Sequence, residues 1–327
     1  MSDVDGCVGF LQRLIQTPGL PGDEGATAEL LAAEMRALGY DQVSVDRMGN
    51  VIGLVRGRGA APVVMFNTHL DHVDVGDESG WSHPPFGGEI ADDKVWGRGA
   101  VDIKGPMAAQ VHGVARLLEG EPPPGDIYVT GVVQEEIGGV GARYMAETLW
   151  VPLVVIGEPS MNTLRRGHRG RTEMVLHVTG KSVHASVPQN GINPLATLAR
   201  FILALESLEF PVDDTLGPSS VGLTLLRTDQ SSANVIPGEI WQTLDWRNVP
   251  AEDGEETRSM LQKIAEEAAT NGAEVEVTIP IYPQKTYTGE RMDIPGNNPA
   301  YALAADHPAV RASEEVVARV TGRVVCR

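Results

Sequence analysis

Within its first 170 residues the chain repeats one pattern, a short apolar run followed by a longer stretch with helical spacing. The runs are Val63-Val64-Met65-Phe66, Ile127-Tyr128-Val129-Thr130 continued by Val132-Val133, and Leu153-Val154-Val155-Ile156. Apolar on both faces and short, they predict strands buried in the middle of a sheet. Helices are predicted over Ala26–Leu38, where Ala26, Leu30, Leu31, Met35 and Leu38 recur at helical spacing before Gly39, and over Gly105–Leu118 and Val140–Leu149. Val43–Val55 reads as a hairpin turning at Gly49-Asn50. Alternation of this kind gives an α/β layered domain. In such sheets ligands collect outside the carboxyl ends of the strands.

From residue 171 the order changes to strand (Thr172–Thr179), helix (Asn193–Leu208), strand (Val221–Thr228), strand (Glu239–Asp245), helix (Glu255–Ala269) and strand (Glu274–Ile281). This β-α-β-β-α-β order is a split βαβ, ferredoxin-like arrangement. A Pro/Gly-rich link then leads from Gly289 to a last helix, Ala309–Val320. The expected organisation is a first domain over 1–170, resumed over 285–327, with a compact unit inserted over 171–284. A length of 327 residues agrees, being above the usual ceiling for one core.

Charge narrows the partners. With 26 Lys+Arg against 44 Asp+Glu, the net charge of −18 argues against nucleic acid and anionic membranes. No apolar run approaches the ~18–20 residues that cross a bilayer. The opening Met1-Ser2-Asp3-Val4-Asp5 has no basic region before an apolar core, so a cytoplasmic protein is expected. Cys7 and Cys326 form no disulfide framework and no Cys-x-x-Cys knuckle.

The chemistry-bearing residues stand at the predicted strand ends. His69 and Asp71 follow Met65-Phe66-Asn67-Thr68; residues two apart in extended chain point the same way, so Asp71 can hydrogen-bond the His69 imidazole. Asp102 follows Gly97-Arg98-Gly99-Ala100 at the mouth of a helix, where an Asp is more often an N-cap. Glu135 and Glu136 close another strand, and two adjacent carboxylates there are costly unless a cation lies between them. Glu158, in Gly157-Glu158-Pro159, closes a fourth. Each residue has an ordinary structural explanation singly. Together they suit a site for Zn²⁺, Co²⁺ or Mn²⁺, with enough carboxylates for two ions sharing a bridge. The acids beside Gly138-Gly139 would repel a phosphate, and no Gly-x-Ser-x-Gly elbow, His-Glu-x-x-His helix or Walker loop is present.

These motifs, in this order, resemble the M20 metallopeptidases, a group that includes acetylornithine deacetylase, succinyl-diaminopimelate desuccinylase, aminoacylases, dipeptidases and glutamate carboxypeptidases. His69-x-Asp71, Gly97-Arg98-Gly99-Ala100-x-Asp102-x-Lys104-Gly105, Glu135-Glu136-x-Gly138-Gly139, Gly157-Glu158-Pro159 and Trp81-Ser82-His83-Pro84-Pro85-Phe86 carry the resemblance, which runs from about residue 8 to the end. It implies a metallo-exopeptidase-like catalytic domain with an inserted lid and dimerisation domain. It implies further that His69 and Glu158 bind one metal, Glu136 the other, and Asp102 both. Asp71 would orient His69, and Glu135 would be the general base. A cis peptide is implied at Asp102-Ile103.

In the inserted domain, Gly180-Lys181-Ser182-Val183-His184-Ala185-Ser186 resembles the lid motif whose His stabilises the oxyanion. Asn234 and Arg247 stand where relatives bind a substrate carboxylate. Spacing alone singles out neither His184 nor Arg247. Relatives also carry a later stretch with a His that completes the second metal site. Ending at Val324-Val325-Cys326-Arg327, the sequence reads as a fragment of a longer protein.

The activity expected is hydrolysis of an amide bond in an N-acyl amino acid or short peptide, with two zinc ions per subunit, a small carboxylate-bearing substrate and a homodimer. Two alternatives stand beside it. One is a non-catalytic relative that binds a carboxylated ligand; the other keeps the chemistry but acts on peptides, as a dipeptidase or aminopeptidase, or on N-carbamoyl compounds.

Overall fold

The computed structural model describes residues 3–322. The expected ending at 324–327, Cys326 included, lies outside the described residues. The chain forms two compact units, Met1–Asn162 with Pro283–Ile294, and Thr163–Tyr282 with Pro295–Arg327. The stretch expected to resume the first domain over 285–327 is therefore divided. Only Pro283–Ile294 joins the first unit; it holds most of two paired strands, Ile281–Lys285 and Arg291–Pro295, and the turn between them.

The first unit begins with helix α1 (Asp3–Ile15), which is absent from the elements expected above, and α2 (Gly25–Ala37). Strands β1 (Gln42–Val45), β2 (Val51–Val55), β3 (Val64–His69), β4 (Ile127–Val132) and β5 (Leu153–Ile156) form one sheet in the order β1-β2-β4-β3-β5. β3 is parallel to both β4 and β5, while β1, β2 and β4 pair antiparallel. Helices α3 (Gly105–Ala115) and α4 (Val140–Thr148) follow the strand ends. Phe10, Leu14, Leu31, Met35, Val51, Leu70, Met107, Val111 and Val129 form the core, each 0–1% exposed.

One expectation about this sheet is corrected. The apolar run Leu153–Ile156 predicts a strand in the middle of the sheet, yet β5 lies at the edge among the described residues, with Val154 and Ile156 exposed. A run of four apolar residues reads alike whether both faces are covered or only one.

The second unit has β6 (Arg171–Thr179), α5 (Pro194–Glu206), β7 (Ser220–Thr228), β8 (Glu239–Arg247), α6 (Gly254–Ala268) and β9 (Glu274–Thr278). Its sheet runs β7-β8-β6-β9, all antiparallel, with Asn297–Asn298 paired to the start of β6. This is the ferredoxin-like order. Alternation along β6 and β8 buries Met174, Leu176, Val178, Ile240, Leu244 and Trp246 on one face, against Phe201 of α5 and Leu261 of α6. Asn193 and Asp253 cap the two helices by accepting backbone N–H groups. The strand expected over Glu274–Ile281 ends at Thr278, and a new one starts at Ile281. The last helix, α7 (Pro308–Thr321), is capped by His307, whose Nδ1 accepts the Ala309 N–H. No helix among the described residues is long and apolar enough to cross a membrane.

Candidate metal centre

Six of the expected site residues come from the first unit, at the carboxyl ends of β3, β4 and β5 and in the turn before α3. His69 ends β3 and is 1% exposed. Its Nδ1 lies 3.0 Å from the main-chain carbonyl of Asp71, with Asp71 Oδ1 at 3.4 Å. Its Nε2 faces outward, 3.0 Å from Asp102 Oδ1 and 3.7 Å from Glu158 Oε1. Ligand atoms of His69, Asp102 and Glu136 all lie within 4.8 Å of one another, as do those of His69, Glu135 and Glu158. A buried imidazole thus sits beneath a rim of four carboxylates.

Local backbone puts each group there. Gly99, with a left-handed φ of 77°, turns the chain so that Asp102 reaches His69, and the Asp102–Ile103 peptide is cis. Asp102 is not the N-cap of α3; Lys104 takes that position and makes no side-chain cap bond. Gly157 lets the end of β5 pass close to α3, where a Cβ would meet Gln110 Nε2 at 2.8 Å and Thr68 Cγ2 at 2.9 Å. Gln134 adopts a left-handed backbone (φ 55°, ψ 43°), which reverses the chain into the single turn Glu135–Ile137.

Asp71 does more than back His69. Fully buried, its Oδ1 accepts the Glu135 N–H at 3.0 Å and its Oδ2 accepts the Glu136 N–H at 3.1 Å. The same side chain therefore ties the end of β3 to the turn that follows β4.

The electrostatics are those of a site organised for a cation. Burial and the neighbouring carboxylates push Glu158 up to about 7, only partly offset by His69. Burial likewise raises Glu135 and Glu136, with Asp102 adding to both. For His69 burial alone would lower the pKa. It is outweighed by Asp71, Glu135 and Glu158, which carry it up to about 9. Without a metal, the proton on His69 supplies the positive charge among the acids. A His nitrogen and carboxylate oxygens within 4.8 Å, with no thiolate, are a donor set for a borderline divalent ion. Binding would displace that proton, because an imidazole ligates only when neutral.

The other three expected residues belong to the second unit. His184 and Asn234 are brought together by a short ladder in which Val183–His184 pairs with Val235–Ile236. Asn234 Nδ2 is 3.5 Å from His184 Nε2. His184 Nδ1 lies 2.8 Å from Ser186 Oγ and 3.2 Å from the Ser186 amide nitrogen. Arg247 ends β8, its Nε 2.5 Å from Asp245 Oδ1, and Asp245 also accepts from Arg171 Nε at 2.6 Å. The Arg247 side chain is 46% exposed.

Three further residues, to which the sequence assigns no role, support the rim. His72, 1% exposed, accepts the Gly19 N–H at Nε2 (3.0 Å) and lies 2.8 Å from the Val73 carbonyl at Nδ1. Lys104, fully buried, donates to the carbonyls of Leu14 and Thr17, both at 2.8 Å, and burial lowers its pKa to about 8. Glu24, also fully buried, accepts from the Gly22 and Gln134 amides at 2.9 and 3.1 Å. Burial pushes its carboxyl up to about 7, with Asp71 adding to the rise and the backbone donors opposing it. Lys104 belongs to the Gly97–Gly105 motif quoted for the resemblance, and His72 follows Asp71 directly. Glu24 carried no signal, since an acid at a helix start reads as an exposed first-turn residue.

Known proteins resemble this chain in sequence and in fold. The sequence profile of peptidase family M20/M25/M40 matches residues 65–326. Succinyl-diaminopimelate desuccinylase of Cereibacter sphaeroides (strain ATCC 17025) is 32% identical over 288 residues, covering 83% of this chain and 74% of the relative. Among solved structures, aminopeptidase PepT from Bacillus cereus superposes with a TM-score of 0.76 at 18% identity, over 98% of this chain and 83% of that one. The Bacillus subtilis YXEP protein, described as a dinuclear metal binding peptidase, superposes with a TM-score of 0.69 at 19% identity, over 100% and 82%.

Proposed function

The chain belongs to peptidase family M20/M25/M40 and is a metal-dependent amidohydrolase or peptidase, and from that premise we propose that it hydrolyses the amide bond of an N-acyl amino acid or short peptide. The observation that carries the reading is the convergence of Asp102, Glu135, Glu136 and Glu158 on the buried His69. Two divalent ions, zinc or else cobalt or manganese, are proposed there. His69 and Glu158 would hold one, Glu136 the other, and Asp102 both. Such ions supply a Lewis acid for the scissile carbonyl and acidify water.

The chain's own groups do the rest. Glu135 takes the proton from the attacking water and delivers it to the leaving amine; burial raises its pKa toward the range such a relay needs. Asp71 fixes the base by gripping its amide. In this proposal an imidazole N–H of His184 donates to the oxyanion, a role worth roughly 10²–10³ in rate when one donor is removed. Asn234 and the half-exposed Arg247 take the substrate carboxylate, Arg through its planar fork. The similarity to a desuccinylase favours a dicarboxylic acyl group on the amine released.

We also propose a homodimer through the inserted unit. Among the described residues β7 is an edge strand, with Leu223, Leu225 and Leu226 exposed at 39%, 54% and 50%, and such an edge is a template for a second copy. The decisive experiment is a screen of N-succinyl, N-acetyl and dipeptide substrates with the zinc-loaded protein. Release of amine from one class supports hydrolysis. Stabilisation by carboxylated ligands with no product would instead favour the binding-protein alternative.

A further inference from the structure

The last turn of α1 and the segment joining it to α2 contact three of the rim segments. Lys104 Nζ donates to Leu14 and Thr17, which fastens the Asp102 turn. His72 exchanges two bonds with Gly19, which fastens the end of β3: its N–H donates to the Gly19 carbonyl at 3.1 Å, and its Nε2 accepts the Gly19 N–H at 3.0 Å. Glu24 Oε1 accepts the Gln134 N–H, which fastens the turn that carries Glu135 and Glu136.

Of these contacts the one made by Glu24 is hardest to explain as local structure. It occupies the N-cap position of α2, yet its side chain makes no cap bond to that helix. Its Oε1 instead reaches an amide 110 residues away. A carboxylate with zero exposure is costly to bury, more so with Oε2 left without a partner. That cost falls at the one non-glycine, left-handed residue leading directly into the two glutamates. With Asp71, it means that the three successive amides of Gln134, Glu135 and Glu136 are all held by buried carboxylates.

We propose that Glu24 is a positioning residue, whose carboxyl oxygen locks the Gln134 turn so that Glu135 and Glu136 are presented to the metal centre in one geometry. The proposal rests on the metal-centre reading above for its consequence, but not for its geometry. What matters is reach: an acceptor oxygen at the end of a two-methylene side chain. Glu24→Asp keeps the charge and falls one methylene short. Glu24→Gln keeps the length and an acceptor oxygen without the charge.

The test pairs these variants with Val111→Ala, a core truncation on α3, as the control for general destabilisation. Amide hydrogen exchange of the metal-free proteins reads the turn directly. In Glu24→Asp the amides of residues 134–136 should exchange about tenfold faster, the factor expected for losing one hydrogen bond to a buried carboxyl oxygen. Glu24→Gln should stay within about threefold of the parent, and Val111→Ala should not change these amides relative to the rest of the unit. Co²⁺ titration by visible absorption then reads the consequence. Glu24→Asp should bind about 10–100-fold more weakly with an altered spectrum, as for loss of an outer-layer partner, and Glu24→Gln should be near the parent. Unchanged exchange in Glu24→Asp, or equal loss in both Glu24 variants, would overturn the positioning role. A parent protein that binds no Co²⁺ while the exchange pattern holds would overturn the metal reading and leave the positioning role standing.

Discussion

Asp71 and Glu135 are joined by a hydrogen bond from the Glu135 amide to Asp71 Oδ1, 3.0 Å long, between residues 64 apart in sequence. The second oxygen of Asp71 takes the next amide, that of Glu136, and its main-chain carbonyl takes the imidazole of His69. One buried residue therefore sets the orientation of the proposed base, of one proposed ligand on the far turn and of the buried imidazole. This is the outer layer that a metal centre needs if its ligands are to hold one geometry.

Glu135→Gln removes the proton acceptor but keeps the amide that Asp71 grips. We expect amide hydrolysis to fall by about 10²–10⁴-fold with metal content per chain unchanged. Mass spectrometry of the metal-loaded protein alongside steady-state rates checks this. Near-parental activity would remove Glu135 from the role of base.

His69→Ala removes the atom common to both ligand clusters. Metal affinity should drop by more than the roughly 10–100-fold typical of losing an outer-layer partner. Competition with a chromophoric chelator measures it. Because binding in the parent displaces the His69 proton, affinity for Zn²⁺ should also rise with pH up to about 9 and then level off.

Glu24 makes folding stability depend on pH in a defined direction. Its carboxyl is raised from 4.5 to about 7 in the folded chain, so between those values the folded state binds more protons than the unfolded one. Stability from this group is full below about 4.5 and is lost as the pH rises through about 7, a change on the order of 3 kcal/mol. Urea unfolding of the metal-free parent and of Glu24→Gln at pH 4.5 and 8 should show the parent losing more stability over that interval. Equal losses would contradict the assignment.

Leu225→Lys places a charge in the middle of the exposed edge of β7. Sedimentation velocity should show a dimer for the parent and a monomer for the variant, with the fold of each intact by circular dichroism. A parent that remains monomeric at micromolar concentration would refute dimerisation through this edge.

Much of this molecule is legible in its sequence. Alternation along β6 and β8, helical spacing in α2, and caps at Asn193 and Asp253 are signals carried within a few residues of one another. The placing of His69, Asp102, Glu135, Glu136 and Glu158 at strand ends and a helix mouth follows from the same local patterns, since polar groups in apolar runs need a reason to be there. Only the tertiary structure decided that β4 lies between β2 and β3 and that β5 forms an edge among the described residues. The strand order brings Asp71 to the Glu135 and Glu136 amides and Glu24 to the Gln134 amide, bonds that span 64, 65 and 110 residues. A side chain's identity fixes what it can bond to, but which amide it meets across such distances depends on how the whole sheet is ordered, and no local spacing encodes that.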